Sequence, residues 1–389
     1  MAILNQPFPV LNTSVSSDVV LQDSTIVWRM REFNDHDYWY VEYKFSDSFK
    51  TFPLSCYVPD NTIIDIRNGE VFLMLVNFHE TFLDSIEAIY TEIVIKHQIP
   101  PEHIVLCSGS MDCITDVRRV AQLHNLPELK VEWFLELEWA VQEQKLFQMQ
   151  TPNSTYETLA HKDYPKKYLN LNRRWRLHRP TMVALLRIFN VLDKGYVSLG
   201  ESDDMNTWER MYWWVKSHNN RGELHQLLCD NEQIVFDIPP MYVDTLDLKT
   251  NRARLESSID EFYQNTYFSL VSETNYYSGL EFDSRGRFLT EKTFKTIAQE
   301  HPFILITVAN SLPLLKQLGY KTFHPYIDES YDSEADDQLR LLMIAKETQR
   351  LCNLSGQELE TFLTETKKIT AHNLNTLLNK RVYTYKVNY

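Results

Sequence analysis

Residues 166–200 read KKYLNLNRRWRLHRPTMVALLRIFNVLDKGYVSLG. KKYLNLN has the character of a short strand, RRWRLHRP is a charged loop, TMVALLRIFNVLDKG is an apolar helix and YVSLG is a second strand. Pro180 suits the first helical position, where its missing N–H has no partner to lose, and Gly195 reads as the helix stop. Two strands joined through a helix run parallel, with a right-handed crossover.

The same rhythm continues downstream. YFSLVSETN (267–275) is a strand, TEKTFKTIAQE (290–300) a helix, HPFILIT (301–307) a strand, and 312–319 and 334–351 are further helices. The tail SGQELETFLTETKKITAHNLNTLLNK (355–380) is helical. Upstream, VFLMLVNF (71–78) is a continuous apolar strand of the kind buried on both faces of a parallel sheet. Phe82, Ile86, Ile89, Ile93 and Ile95 follow at helical spacing until Pro100 and Pro101. HIVLCSG (103–109), SMDCITDVRRVAQLHNL (110–126) and KVEWFLEL (130–137) complete a βαβαβ pattern. The first 60 residues or so are aromatic and strand-rich: TIVWRM, YWYVEYKF and FPLSCYV. Residues from about 145 to 165 show turn residues without periodicity and read as a linker. The expected organisation is an α/β domain over 1–155, a second over 156–354 and a helical tail over 355–389. Ligands of such sheets gather at the carboxyl ends of the strands.

Composition narrows the chemistry. The chain has 389 residues, 43% of them hydrophobic, with a net charge of −14, which argues against non-specific coating of nucleic acid or of an anionic membrane. Only 9 residues are glycine, and neither GxGxxG nor GxxxxGK[ST] occurs, so the common dinucleotide and P-loop signatures are missing. Five scattered cysteines without a CxxC point to reduced thiols in a cytoplasmic setting and to no zinc site. The amino terminus lacks the pattern of a signal peptide, and no apolar run reaches the roughly 18 residues needed to span a bilayer.

Against this acidic background, residues 162–179 hold seven Lys/Arg and a single acid, Asp163. Arg173, Arg174, Arg176 and Arg179 lie between a strand end and a helix start, where an α/β sheet receives anions. Arginine forks grip phosphate in pairs of hydrogen bonds. The alternative is a solvated patch or a set of ion pairs with nearby acids. The helix at 290 raises a matching question. Thr290 is a natural N-cap and Glu291 suits the first turn, but Lys292 lies at the positive end of the helix dipole, where a cation is disfavoured. Either Lys292 points to water or an anion stands beside it. The anion could be a diphosphate, with Glu291 accepting hydrogen bonds from ribose hydroxyls.

The segment SLVSETNYYSGLEFDSRGRFLTEKTFKTIAQEHPFILI, residues 269–306, resembles the donor-binding half of GT-B glycosyltransferases, most nearly the fucosyltransferase type. Residues 166–354 are similar to uncharacterised glycosyltransferase-like proteins of tailed bacteriophages, which carry comparable YLxLNRRWRxHR, FxLVSET, EKTFKxIA, HPFI and LGxKTFxxxIDESYD blocks. The resemblance covers the carboxyl-terminal half. It implies two Rossmann-like domains facing a cleft, and a glycosyltransferase that takes a UDP-, GDP- or TDP-sugar as substrate without a metal or other cofactor. It further implies that Glu291 holds the donor ribose and Lys292 its phosphate, with Arg173 or Arg174 as a second phosphate ligand. Ser272, Glu273 and Thr274 would line the nucleotide or sugar pocket. Related sequences often have a Gly-Pro-rich turn after the HPFI strand, where this chain reads TVANSLPLL.

Such a transfer needs cations for the leaving diphosphate, a general base for the acceptor hydroxyl and a cleft that excludes water. His79, Glu80 and Asp112, at strand ends of the first half, are the candidate bases, although for each the stronger reading is that of a helix-starting residue: His79 and Glu80 as acid and cap, Asp112 as a helix amino-terminal acid. The acidic run DESYDSEADD (328–337) reads as helix-start acids rather than a metal site. The acceptor would be a hydroxymethylated pyrimidine in viral DNA, or else a glycan or protein. The DNA case requires base flipping and a basic groove. Rings in WRMREFNDHDYWYVEYKF could stack on sugars or bases, or simply build the sheet. The rivals are a non-catalytic nucleotide-binding protein, such as a viral counter-defence factor, and an amino-terminal nuclease or hydrolase, for which clustered ligands are lacking. No membrane or protein partner is expected.

Overall fold

The computed structural model describes residues 27–33, 36–42, 54, 58–77, 82, 85–133, 135–150, 164–172, 174–200, 207–217, 222–243, 260–277, 286–380 and 385–386. The chain is α/β, with parallel strands at the centre of both its sheets. It divides into two compact units, residues 1–136 with 381–389, and residues 137–380.

The first unit contains strands β1 (Val27–Phe33), β2 (His36–Glu42), β3 (Phe72–Asn77), β4 (Ile104–Ser108), β5 (Lys130–Trp133) and β10 (Tyr385–Lys386), in the order β1-β2-β3-β4-β5-β10. β2 to β5 are parallel; β1 and β10 close the two edges antiparallel. The crossovers are α1 (Asp60–Asn68), α2 (Ile86–Ala88, continued as a π-type helix over Ile89–Lys96) and α3 (Cys113–His124). Strands added in one direction through right-handed crossovers put all three helices on one face. The core has that form: Leu73, Leu75, Ile104, Leu106 and Val131 meet Ile63, Ile66, Ile86, Ile89, Ile93, Val117 and Val120. The alternate residues Met74, Val76, Val105 and Cys107 are buried as well, which explains why these strands read as unbroken apolar runs.

The second unit begins with α4 (Glu136–Gln150). Residues 145–150, expected in a linker, continue this helix, because Lys, Leu, Gln and Met are good helix formers even where no periodic stripe is evident. The sheet contains β6 (Tyr168–Asn172), β7 (Gly195–Leu199), β8 (Phe268–Ser272) and β9 (Phe303–Ile306), all parallel, in the order β7-β6-β8-β9. α5 (His178–Ile188) joins β6 to β7. Pro180 is its third residue rather than its first, still within the turn that needs no N–H. Gly195 does not stop the helix. It opens β7, where a Cβ would lie 2.4 Å from the Tyr168 ring, so the close approach of strand and ring requires glycine.

Helices α6 (Trp208–Ser217), α7 (Glu223–Asp230), α8 (Glu232–Phe236) and α9 (Asp260–Gln264) lie between β7 and β8. α10 (Glu291–Ala298) joins β8 to β9, followed by α11 (Leu312–Gln317), α12 (Asp337–Cys352) and α13 (Gly356–Asn379). α12 packs on α5, and α13 packs on α10. From β6 the chain moves outward to β7, then returns to the other side of β6 for β8 and β9. The strand order therefore reverses between β6 and β8, and right-handed crossovers place α5 and α10 on opposite faces. Among the described residues no helix is long and apolar enough to cross a membrane.

Candidate functional site

A reversal in strand order leaves a crevice at the carboxyl ends of the two strands that flank it. Here those strands also separate. β6 pairs with β7 over its whole length, from Tyr168↔Gly195 to Asn172↔Leu199, whereas its pairing with β8 is confined to Tyr168↔Phe268 and Leu169↔Ser269. Beyond that point side chains replace the ladder. Asn170 Nδ2 donates to Leu270 O (2.8 Å) and Ser272 Oγ (3.4 Å), and Asn172 Nδ2 donates to Asn170 Oδ1. Both asparagines are fully buried. A buried amide is costly unless it is paired; Asn170 pairs across the gap, and Asn172 donates to it from the same strand, leaving its own Oδ1 without a hydrogen-bond partner among the described residues. Sequence reading passed over them because YLNLN counts as a strand whatever its Asn residues do. Two Asn on one face of a buried strand were the available signal.

The loop after β6 forms one wall. Trp175 and Leu177 are buried and anchor it, with Trp175 Nε1 donating to Gly200 O. Arg174 is exposed, Arg176 half-buried and Arg179 buried; Arg173 lies outside the described residues. Arg179 donates to Arg174 O (2.9 Å), Ser272 O (3.1 Å) and Glu273 O (3.2 Å). It thereby ties the basic loop to the end of β8. Burial and the charge of Arg176 push its pKa down to about 10, opposed by the carboxylates of Glu273 and Glu291. That opposition places Glu291 within electrostatic reach of the loop.

His178, the first residue of α5, is fully buried. Burial, together with Arg179 and Arg176, holds its pKa well below the ordinary value, so the ring is neutral at pH 7. Nε2 meets Glu273 O (3.2 Å), which makes it the protonated nitrogen. The ring stacks on Tyr276, 4.8 Å between centroids, and Arg340 of α12 covers Tyr276 at 4.6 Å. Arg340 is buried and donates to Tyr276 O (2.8 Å), Thr307 O (3.1 Å), Glu334 O (2.8 Å) and Asp337. One guanidinium thus fixes the segments that follow both β8 and β9.

The start of α10 forms the other wall. Thr290 caps the helix, accepting from Lys292 N (3.4 Å). Lys292 Nζ donates to Thr290 Oγ1 (2.8 Å) and Thr274 Oγ1 (3.5 Å), and lies 3.4 Å from Glu291 Oε1 and 3.7 Å from Glu273 Oε2. The cation at the unfavourable end of the helix therefore has two carboxylates of the same chain beside it. Its side chain is still 28% exposed, so an incoming anion has access to it. Burial acts to raise the Glu291 pKa, but Lys292, Lys295 and hydrogen bonds outweigh it, and the carboxyl lies below its usual range. Glu291 is ionised at neutral pH.

Arg174, Arg176, Arg179, Ser272, Glu273, Thr274, Glu291 and Lys292 are thus gathered around the ends of β6 and β8. Ser272 and Glu273 are buried, while Thr274 is half-buried. In the TVANSLPLL stretch after β9, no Gly-Pro turn is needed: Asn310 adopts φ +61°, and Asp332 accepts from Ser311 N (3.0 Å) and Leu312 N (3.1 Å). The rest of the acidic run is engaged in the same manner. Asp336 caps α12, Asp337 pairs with Arg340, and Asp328 accepts from Ser330 N. Among the candidate bases, His79 and Glu80 lie outside the described residues, and Asp112 immediately precedes α3 in the first unit. No protein-family model matches the chain, and no curated protein matches it.

Proposed function

We propose that the crevice between β6 and β8 binds the diphosphate of a nucleotide sugar, and that the protein is a glycosyltransferase moving that sugar to a hydroxyl acceptor. The observation that carries this reading is the local balance of charge. In a chain of net charge −14, Arg179 interacts with Glu273 and Glu291, Lys292 lies beside both carboxylates, Lys295 acts on Glu291, and Arg176 adds its charge next to Arg179, at a point of strand reversal. The surplus is positive where such sheets take anions.

Lys292 would contact the phosphate, and Arg173 or Arg174 would supply a second contact. Arg176 would add charge from the loop, and Arg179 would act from behind it as a brace. Ionised Glu291 is suited to accept from the ribose diol, and the Thr274 hydroxyl stands beside Lys292. Cations fixed in place before the reaction would stabilise the negative charge that grows on the leaving diphosphate. His79, Glu80 or Asp112 would take the acceptor proton. The acceptor would be a hydroxymethylated pyrimidine in viral DNA, or else a glycan or a protein, in a cytoplasmic setting.

The test is the melting temperature of the protein with a panel of UDP-, GDP- and TDP-sugars. A ligand that binds only the native state at 100 times its Kd stabilises it by about 2.7 kcal/mol. At least one donor raises the melting temperature, and the rise shrinks in Lys292→Ala. Absence of a shift with every donor, or an equal shift in the variant, rejects the assignment. Binding without transfer to any acceptor class would leave a nucleotide-binding protein.

A further inference from the structure

Glu273 is buried with no exposed side-chain surface, yet it is bonded to three elements around the crevice. Its N–H donates to Ile306 O at the end of β9 (3.0 Å). Its carbonyl accepts from His178 and Arg179 at the start of α5, both at 3.2 Å. Its carboxylate accepts from Thr290 N (2.9 Å), Thr293 Oγ1 (2.6 Å) and Thr290 Oγ1, and stands 3.7 Å from Lys292. A buried carboxylate is tolerated only when donors and a countercharge surround it, and all of these come from α10 and its cap. The first N–H groups of a helix attract an anion. At α10 the chain provides that anion itself.

We propose that Glu273 is a positioning residue. Its carboxylate occupies the amino end of α10 in place of a ligand phosphate, and through Thr290 and Thr293 it fixes where Lys292 and Glu291 stand relative to Arg179. A bound diphosphate is then held by side chains rather than by the helix start. This rests on the reading of the crevice as a diphosphate site. Glu273 does not touch the ligand, since its carboxylate is enclosed. Thr293 is also fully buried, so both residues can be altered without removing a ligand contact.

The experiment is calorimetric titration of the full chain with inorganic pyrophosphate and with UDP, GDP and TDP. It compares the wild type with Glu273→Gln, Thr293→Val and Thr293→Ser, at a temperature where circular dichroism shows each variant folded. Loss of the fixed charge in Glu273→Gln weakens binding about 10-fold or more, as expected for hydrogen bonds to a charged group. Loss of one hydroxyl in Thr293→Val weakens it about 3-fold, and Thr293→Ser, which restores the donor, stays within about twofold of the wild type. A residue that only supports the fold would lower the melting temperature and leave these affinities unchanged. Wild-type affinity in folded Glu273→Gln and Thr293→Val overturns the positioning role alone. If Glu273→Gln does not fold, the Val and Ser variants at Thr293 decide. A wild type that binds neither pyrophosphate nor any nucleotide overturns the diphosphate reading, and the positioning role with it.

Discussion

The two sheets use the same parallel construction with different results. In the first unit β2, β3, β4 and β5 follow one another in chain order, so no strand order reverses and the ladder between neighbours runs on to the strand ends, as in Asn77↔Ser108 and Ser108↔Trp133. In the second unit the order reverses between β6 and β8, the ladder stops at Leu169↔Ser269, and polar side chains take over. Where the ladder is complete, the strand centres bury apolar residues, Leu73, Met74, Leu75, Val76, Val105 and Leu106, and the buried polar residues are few: Asn77 and Ser108 at the strand ends and Glu132 in β5. Where it is interrupted, Asn170, Asn172, Ser272, Glu273, His178 and Arg179 are buried instead. At the strand reversal the buried polar groups include a carboxylate, a guanidinium and an imidazole bonded across elements, and such groups can be organised into a site.

The largest expected effect tests whether that polar interior is one structure. Arg340→Met would strip Tyr276 O, Thr307 O, Glu334 O and Asp337 of their shared donor. Removing one partner of a buried ion pair costs about 3–5 kcal/mol. Calorimetry should show the loss in the transition of the second unit, with that of the first unit unmoved. Equal shifts in both would mean that the two units do not melt separately.

A helix start in each unit sharpens the comparison. Asp112 precedes α3 without a side-chain cap bond, whereas Asp332 is buried and accepts from the first N–H groups of α11. Burial pushes the Asp332 carboxyl up to about 6, partly offset by its bonds to Leu312 and Ser311, with Glu329 raising it and Arg340 lowering it. The folded state therefore holds this proton more tightly than the unfolded state. The contribution is fully present below about pH 4 and is lost as pH rises through about 6. The shift from the ordinary carboxyl value corresponds to an effect on the order of 3 kcal/mol. In chemical denaturation between pH 4 and 7, Asp332→Asn should remove this falling component from the stability profile. An unchanged profile would place the titration elsewhere.

Much of this architecture is legible in the chain because strand and helix periodicity depend on local burial. The runs 71–78, 103–109 and 301–307 predict β3, β4 and β9, and 290–300 predicts α10 with Thr290 as its cap. What is not legible depends on distant partners. The run at 145–150 lacks a stripe and forms part of α4 all the same. Gly195 looks like a helix stop, and only the Tyr168 ring packed against it explains the residue. Four helices, α6 to α9, follow β7 with no marker comparable to the TEK start. For the site, the arginine cluster and the Glu291–Lys292 pair stand out by charge, but Asn170 and Asn172 resemble ordinary residues until the gap between β6 and β8 is seen, and Arg340 until its acceptors after β8 and β9 are. Lys292 is the sharpest case. Its position calls for an anion, and the structure supplies Glu273 from 19 residues upstream, through a bond network that no local pattern encodes.

The smallest expected effect, and the most direct trial of the comparison, is a matched pair of apolar substitutions in the two sheets. Asn170→Leu keeps the number of heavy atoms and the branching in β6 but adds bulk, and it removes the donors to Leu270 O and Ser272 Oγ and the acceptor for Asn172. Leaving such groups unpaired costs about 1–3 kcal/mol. Cys107→Val in β4 is the counterpart. The thiol is buried, with its pKa raised by burial and by the charge of Glu132, so it behaves as a small apolar group. Valine is one heavy atom larger, and overpacking of that size costs about 1 kcal/mol. If buried polarity at the strand reversal exists to hold the crevice open, Asn170→Leu should lower nucleotide affinity as well as stability, whereas Cys107→Val should change neither by much. Equal losses in the two variants would mean that the asparagines fill space as any core residue does, and that the contrast between the sheets lies in topology alone.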